Sequence, residues 1–310
     1  MEILYELREK SAYVSGFEGT GVSFTVPDKV LIDDNYYVVR GVAKKALLGC
    51  VGLRNISLPG TVAKIEDWAF SGCAHLEKFV VRATEEKDGE PINIEFGRGV
   101  FDKCALLRDM LIGYGDSDDR SVLLAVTVNR LPADYILKNI TASDEDFFKS
   151  WDLALSTFLN NSDFDGSDAA CPSGEEDISY DYLGSIDGEM PSENSAFVDD
   201  VRENKAYLCL LRLKYNRFIS SETEKKCRDY MAGTHNLDGR QSAWQVIKKY
   251  FSDNRDYINL FLDETKPDNK KVEELLSELG DNHALCKSIL IGFGKDEKSG
   301  EGDFFSDFSL

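Results

Sequence analysis

The sequence predicts an α+β protein, a short β-solenoid followed by an all-α domain that is a helical bundle or a small α-solenoid. Three observations predict it. A unit of 23 residues recurs in the first third of the chain, and the apolar period lengthens from that of strands to that of helices near residue 118. The charge also divides unequally. Residues 1–115 hold 14 Lys and Arg against 17 Asp and Glu, while the remainder carries −17 of the total −20. The expected parts are 1–118 for the solenoid and 119–294 for an acidic helical domain. A long acidic loop is expected at 161–194 and a flexible tail at 295–310.

The repeat is read residue by residue. Residues 42–58 lie over 65–81 at an offset of 23, matching Val42 with Ile65, Ala46 with Ala69, Leu47 with Phe70, Gly49 with Gly72 and Cys50 with Cys73. Leu53, Ile56 and Leu58 likewise match Leu76, Phe79 and Val81. A third copy follows at an offset of 31, with Phe101, Cys104, Leu107, Met110 and Ile112, and the eight extra residues fit a polar insertion around Thr84–Pro91. A first, degenerate copy places Phe24, Val26 and Pro27 on Ile56, Leu58 and Pro59 at an offset of 32. Asp33, Asp34 and Asn35 are expected to turn a hairpin into Tyr36–Val39.

In each unit the alternation of Ile56-Ser57-Leu58 sends two side chains inward and one outward, as a short strand does. Ala, Phe and Cys close the turn before it. One such unit is too small to bury its own apolar face, so stacked neighbours must supply the core.

The run Ala69-Phe70-Ser71-Gly72-Cys73-Ala74-His75-Leu76 follows the pattern AF-x-x-C-x-x-L-x-x-I-x-L-P, and it resembles the BspA-type leucine-rich repeats. Tyr13-Val14-Ser15-Gly16 and Val22–Pro27 resemble the first repeat of that family. The resemblance covers roughly residues 1–115 and implies a β-solenoid with a parallel sheet along one face. It also implies a protein-binding module or a surface adhesin. No family is identified for the helical part.

Beyond residue 120, helices are expected from Leu131-Pro132, from Ser143 or Asp144 to about Leu159, and over Ser195–Phe218. In the last of these, Phe197, Val201, Leu208, Leu211, Tyr215 and Phe218 form one stripe. Further helices are expected at 221–232, 240–251, 254–263, 269–279 and 282–291. No Lys or Arg occurs from Ser150 to Val201, so the acidic loop needs neutralising to be ordered. The aromatic tail around Phe304, Phe305 and Phe308 is a frayed terminus or a short docking peptide.

Composition narrows the function. A net charge of −20 repels phosphate backbones and anionic lipids, which makes nucleic acid and membrane surfaces poor candidate partners. No apolar run is long enough to span a bilayer. The seven cysteines, Cys50, Cys73, Cys104, Cys171, Cys209, Cys227 and Cys286, are odd in number and form no CxxC, which points to a reducing compartment. The opening residues carry no secretory pattern. The expected location is therefore cytoplasmic, with the cell surface as the alternative.

No catalytic residue, metal site or cofactor is expected, and an enzyme in the helical domain is the least favoured alternative. Asn161, Asp163, Asp165 and Gly166 fit the start of an EF-hand loop, but Pro172 stands where the bidentate Glu is required. His75, His235 and His283 are widely separated, and Gly292-Phe293-Gly294-Lys295 lacks the phosphate-loop spacing. The remaining candidate is the outward stripe Thr25, Ser57, Val80 and Leu111, flanked by Asn55, Lys78 and Asp109, as a surface for a protein partner. An adjacent domain covering Val80 and Leu111 is the competing reading. The sequence sets neither the identity of the partner nor the oligomeric state.

Overall fold

A computed structural model describes residues 2–19, 21–82, 94–112, 118–128, 130–131, 135–138, 144–163, 192–237, 242–280 and 283–300. The chain divides into two compact units, Met1–Leu155 with Asn216–Ile219, and Ser156–Tyr215 with Ser220–Leu310.

In the first unit, the repeat offsets become strand register. The strands β3 (Ser23–Thr25), β6 (Asn55–Leu58), β8 (Lys78–Val81) and β10 (Asp109–Ile112) form a parallel sheet in the order β10-β8-β6-β3. Phe24 pairs with Ile56, Ile56 with Phe79, and Phe79 with Met110, as the aligned copies require. A second sheet runs β1-β2-β5-β7-β9, from β1 (Glu2–Arg8), β2 (Ser11–Glu18), β5 (Asn35–Val42), β7 (Lys64–Ile65) and β9 (Glu95–Phe96). Between the two sheets Leu53, Leu76 and Leu107 are buried together, with Leu47, Phe70 and Phe101 and with Ile56, Phe79 and Met110. The Phe70 and Phe101 rings stack at 5.6 Å, and Phe79 meets each edge-on at 5.6 and 5.0 Å. Such pairs add to simple burial.

The turns between sheets repeat as faithfully as the strands. Leu47 N–H donates to Ala69 C=O and Phe70 N–H to Val100 C=O, at 2.8 and 3.0 Å. Left-handed residues recur at equal positions, Lys45, Trp68 and Gly99 in one row and Gly49, Gly72 and Lys103 in another, all with φ between 59° and 75° except Trp68 at 55°. Glycine meets that need without strain, so the Gly49-Gly72 match in the sequence has a backbone cause. The buried cysteines also repeat a bond. Cys73 Sγ–H donates to Leu47 C=O at 3.1 Å and Cys104 Sγ–H to Phe70 C=O at 3.2 Å, tying each coil to the one before it. Serine in that place would desolvate a stronger polar group, and alanine would remove the bond between coils, leaving the carbonyl only the backbone N–H three residues on.

The hairpin at Asp33-Asp34 forms as expected. β4 (Lys29–Ile32) pairs with β5, and Asp33 and Asp34 both adopt positive φ, at 47° and 62°. At the other end of the repeats, helix Asp118–Thr127 packs on β10, where Ser121 Oγ accepts the outward N–H of Met110 at 3.0 Å. A sheet edge is thereby covered. Trp151, on helix Asp144–Asn160, is fully buried and donates from Nε1 to Leu123 C=O and Thr127 Oγ1, each at 3.1 Å. No local pattern in the sequence signals that the repeat continues into helices in this way.

In the second unit, helix Ser192–Lys214 is buried continuously from Lys205 to Leu213. It is therefore a central helix rather than one with a single apolar stripe. Helices Ser221–Met231, Ala243–Val246 with the wider turn Ile247–Phe251, and Arg255–Thr265 pack around it. Side-chain caps start three of the helices: Ser220 accepts from Thr223 N–H, Asn254 from Asp256 and Tyr257 N–H, and Asp268 from Lys271 N–H. Two expectations change. Phe218 leaves the helical stripe, adopts φ 54° and packs its ring at a tilt against Phe148 at 5.7 Å, both within the first unit. Helix Ala284–Gly300 also runs through Gly292 and Gly294 and takes in residues 295–300 of the expected tail. Residues 164–191 and 301–310, which hold most of the acidic loop and the aromatic tail, lie outside the described residues.

Leu76→Ala removes a side chain locked between neighbouring coils, and we expect a loss of about 2–5 kcal/mol in urea unfolding of the first unit. Leu48→Ala, on the half-exposed ridge, is expected to cost no more than about 0.5 kcal/mol. Equal costs for the two would contradict the ladder.

Candidate functional site

The seven sequence-chosen residues fall in two straight rows on the outer face of the four-stranded sheet. Parallel register aligns Ser23, Asn55, Lys78 and Asp109 in one row and Thr25, Ser57, Val80 and Leu111 in the next. Their inward neighbours Ile56, Leu58, Phe79, Val81 and Met110 are buried, so the pleat alone assigns the rows to the outside. Thr25 and Asn55 are exposed, whereas Ser57, Lys78, Val80, Asp109 and Leu111 are half-buried. Thr25 lies on the edge strand β3, while β6 and β8 are flanked on both sides.

Two features of this face were not read from the sequence. Arg82 stands where the earlier copies have Pro27 and Pro59, and its side chain reaches back over the sheet. Nη1 donates to Ser57 Oγ at 3.1 Å, and Nη2 to Val26 C=O at 2.7 Å. The missing proline was the available signal. Along the neighbouring row, Glu77 bridges Arg54 and Arg108 at 2.9 and 3.0 Å, joining three coils through equivalent positions. Alternating charge at one repeat position was legible, but was not used.

The other candidates resolve separately. His75 is exposed, as expected, and its Nδ1 lies 2.6 Å from Val51 C=O. His235 Nε2 and His283 Nδ1 are buried without a partner, and among the described residues no hydrogen bond joins a histidine to a cysteine or carboxylate. No group of metal-ligating side chains gathers among the described residues. Asn161 and Asp163, the described part of the EF-hand-like run, offer their oxygens to cations of the protein itself. Lys205 Nζ donates to Asn161 C=O at 2.6 Å and to Asp163 Oδ1 at 2.7 Å, while Arg202 Nε meets Asp163 Oδ2 at 2.7 Å. Asp165, Gly166, Asp168 and Pro172 lie outside the described residues.

Electrostatics around this clamp follow from its geometry. Burial alone would raise the Asp163 carboxyl, but the bonds and charges of Arg202 and Lys205 outweigh it and hold it below the ordinary carboxylate range. Burial lowers the His235 imidazole, and the Arg202 and Lys205 charges lower it further against the opposing pull of Asp163. The Tyr230 ring packs edge-on against His235 at 5.1 Å. Burial raises the thiol of Cys104 to about 12 and that of Cys286 to about 11. Cys209 is likewise raised by burial and by Cys227. The half-buried Cys50 differs, since its neighbour Cys73 holds it below the usual value against the opposing effect of burial.

With the geometry established, similarity can be stated. No family model and no curated protein matches the chain. Its first third is similar to bacterial leucine-rich-repeat proteins. A leucine-rich-repeat protein from Bacteroides ovatus is 26% identical over 36% of this chain and 28% of its own, with a TM-score of 0.30. A leucine-rich cell surface protein from Faecalibacterium prausnitzii is 21% identical over 35% of this chain and 30% of its own, with a TM-score of 0.29. A T. pallidum leucine-rich-repeat protein is 27% identical over 36% of this chain and 62% of its own, with a TM-score of 0.27. The chain thus spans less than a third of the first two and under two thirds of the third.

Because His235 is held neutral, its folded pKa lies below the unfolded value of about 6.5. Its contribution is therefore present above about pH 6.5 and is lost as acid protonates the unfolded chain first. Thermal denaturation of the second unit is expected to weaken below that pH, and His235→Phe is expected to reduce the acid dependence. An unchanged pH profile in the variant would contradict this placement.

Proposed function

We propose that this chain is a non-catalytic protein-binding module that presents the outer sheet face of its repeats to a partner protein. The observation that carries the reading is the pair of aligned rows. A side-chain lattice of fixed spacing, anchored on buried ladders, presents Thr25, Asn55, Ser57, Lys78, Val80, Asp109 and Leu111 with little conformational entropy to lose on binding. Val80 and Leu111 supply adjacent apolar contact, and Asn55, Lys78 and Asp109 supply polar contact beside it. Stacked coils in the manner of a solenoid would curve this face into a continuous surface.

The non-catalytic reading is supported by the chemistry of the described groups. The raised thiols of Cys104, Cys209 and Cys286 are poor nucleophiles, and no histidine is bonded to a carboxylate that would orient it. A reducing, cytoplasmic setting belongs to the same proposal, supported by Cys73 and Cys104 acting as thiol donors to the preceding coils. Among the described residues no helix is long and apolar enough to cross a membrane.

The test is affinity capture with the whole chain, comparing wild type, Val80→Glu with Leu111→Glu, and Leu31→Glu with Tyr36→Glu on the exposed β4–β5 hairpin. The sheet-face variant is expected to lose captured partners by about tenfold or more while the hairpin variant keeps them. Equal capture by the sheet-face variant would remove this face as the binding surface.

A further inference from the structure

A second surface lies on the ridge of turns, away from the sheet-face residues. Around the half-buried indole of Trp68 stand Lys44 Nζ at 5.3 Å, Lys45 Nζ at 5.5 Å and the Arg98 guanidinium carbon at 4.7 Å from the ring centre. These residues come from three successive coils, and the three cationic residues are exposed. Among the described residues none of the three side chains has an ion pair or a hydrogen bond. The adjacent acids are engaged elsewhere. Glu66 is held by Arg8 Nη2 at 3.1 Å and by the Lys44 backbone N–H at 2.9 Å, and Asp67 Oδ1 accepts the Arg98 backbone N–H at 2.9 Å. Three like charges sit within a distance comparable to the Debye length, about 10 Å at 0.1 M salt, and the carboxylates beside them are those of Asp67 and, next to Gly99 and the indole, Asp102. In a chain of net charge −20 this is a local excess of cations. The backbone adds to its singularity, since Trp68 holds φ 55° at a position where the next coil has Gly99. A bulky residue in the left-handed region is strained, and the fold tolerates that strain here.

We infer that the Lys44, Lys45, Trp68 and Arg98 ridge docks an acidic peptide segment of a partner protein. Its carboxylates meet the three cations, and an apolar side chain lies against the indole. Charge complementarity selects the partner, and cations on the two coils flanking that of Trp68 suit separate carboxylates along an extended chain. The ridge suits a lone phosphate poorly. The N–H groups of Lys45, Ala46, Trp68 and Ala69 all donate to carbonyls within the ridge, so no backbone cradle is left for a phosphate.

The experiment uses the full chain with a fluorescein-labelled Glu-Glu-Phe-Glu-Glu peptide, and with a single-stranded oligodeoxynucleotide of equal charge. Binding is read by anisotropy and by tryptophan emission, where Trp151 and Trp244 are fully buried and Trp68 is the solvent-facing reporter. Peptide binding is expected to weaken at least tenfold in Lys44→Glu with Arg98→Glu, and to fall as salt rises from about 50 to about 200 mM. Trp68→Gly is expected to weaken it while the thermal midpoint holds or rises, because glycine suits that backbone position. Val80→Glu with Leu111→Glu is expected to bind the peptide normally, which separates this surface from the sheet face. Absence of peptide binding, an unchanged affinity in the charge-reversed variant, or tighter binding of the oligonucleotide through the same residues would each overturn the inference.

Discussion

The first unit depends on one constraint: a coil of this size cannot hide its apolar side from water except against another coil. Everything regular about the unit answers that constraint. Leu53, Leu76 and Leu107 align because each needs the others as walls, and the stacked rings of Phe70 and Phe101 fill the space that smaller residues would leave open. The backbone follows the same logic. Coil-to-coil hydrogen bonds satisfy turn amides that water cannot reach, and the thiols of Cys73 and Cys104 add a second donor to carbonyls of the preceding coil. The ends of such a stack are its weak points. Helix Asp118–Thr127 answers at one end by offering Ser121 to the edge strand β10, and the β1-β2 hairpin extends the second sheet at the other.

A rigid interior of this kind fixes the exterior. Because every strand is pinned from within, outward residues at equivalent positions become rows, and what they carry is free to vary without affecting the stack. The sheet face uses that freedom for a mixed polar and apolar surface. The ridge uses it to gather cations about Trp68, and Glu77 uses it to link Arg54 with Arg108. In the second unit the burial is organised around one helix instead. There Lys205, almost wholly buried, tolerates its charge only because Asp163 and the Asn161 carbonyl meet it. The acid that might have been a cation ligand is thus matched by the protein's own cations.

How much of this was legible follows from the range of each interaction. Offsets of 23, 31 and 32 residues were visible as letters, and they are the register of the parallel strands. Asp33-Asp34 declared its turn because two left-handed residues are needed there and few residue types accept them. Helices in the second unit showed themselves through local period and caps such as Ser220 and Asp268. What stayed hidden was set by distant partners. Arg82 crossing two strands to reach Val26, Asp163 clamped from about forty residues away, and Phe218 turning from its helix toward Phe148 have no local signature. Gly292 and Gly294 misled in the opposite sense, since their low helix propensity is overridden inside helix Ala284–Gly300.

The dependence of each coil on its neighbours is tested most directly by native-state hydrogen exchange of the amides that bridge them, those of Leu47, Arg54, Phe70, Glu77 and Arg108. Mutual support predicts that they open together, with one common free energy and one denaturant slope. Separate free energies, falling coil by coil with no shared opening, would show that the units stand on their own and would contradict the account.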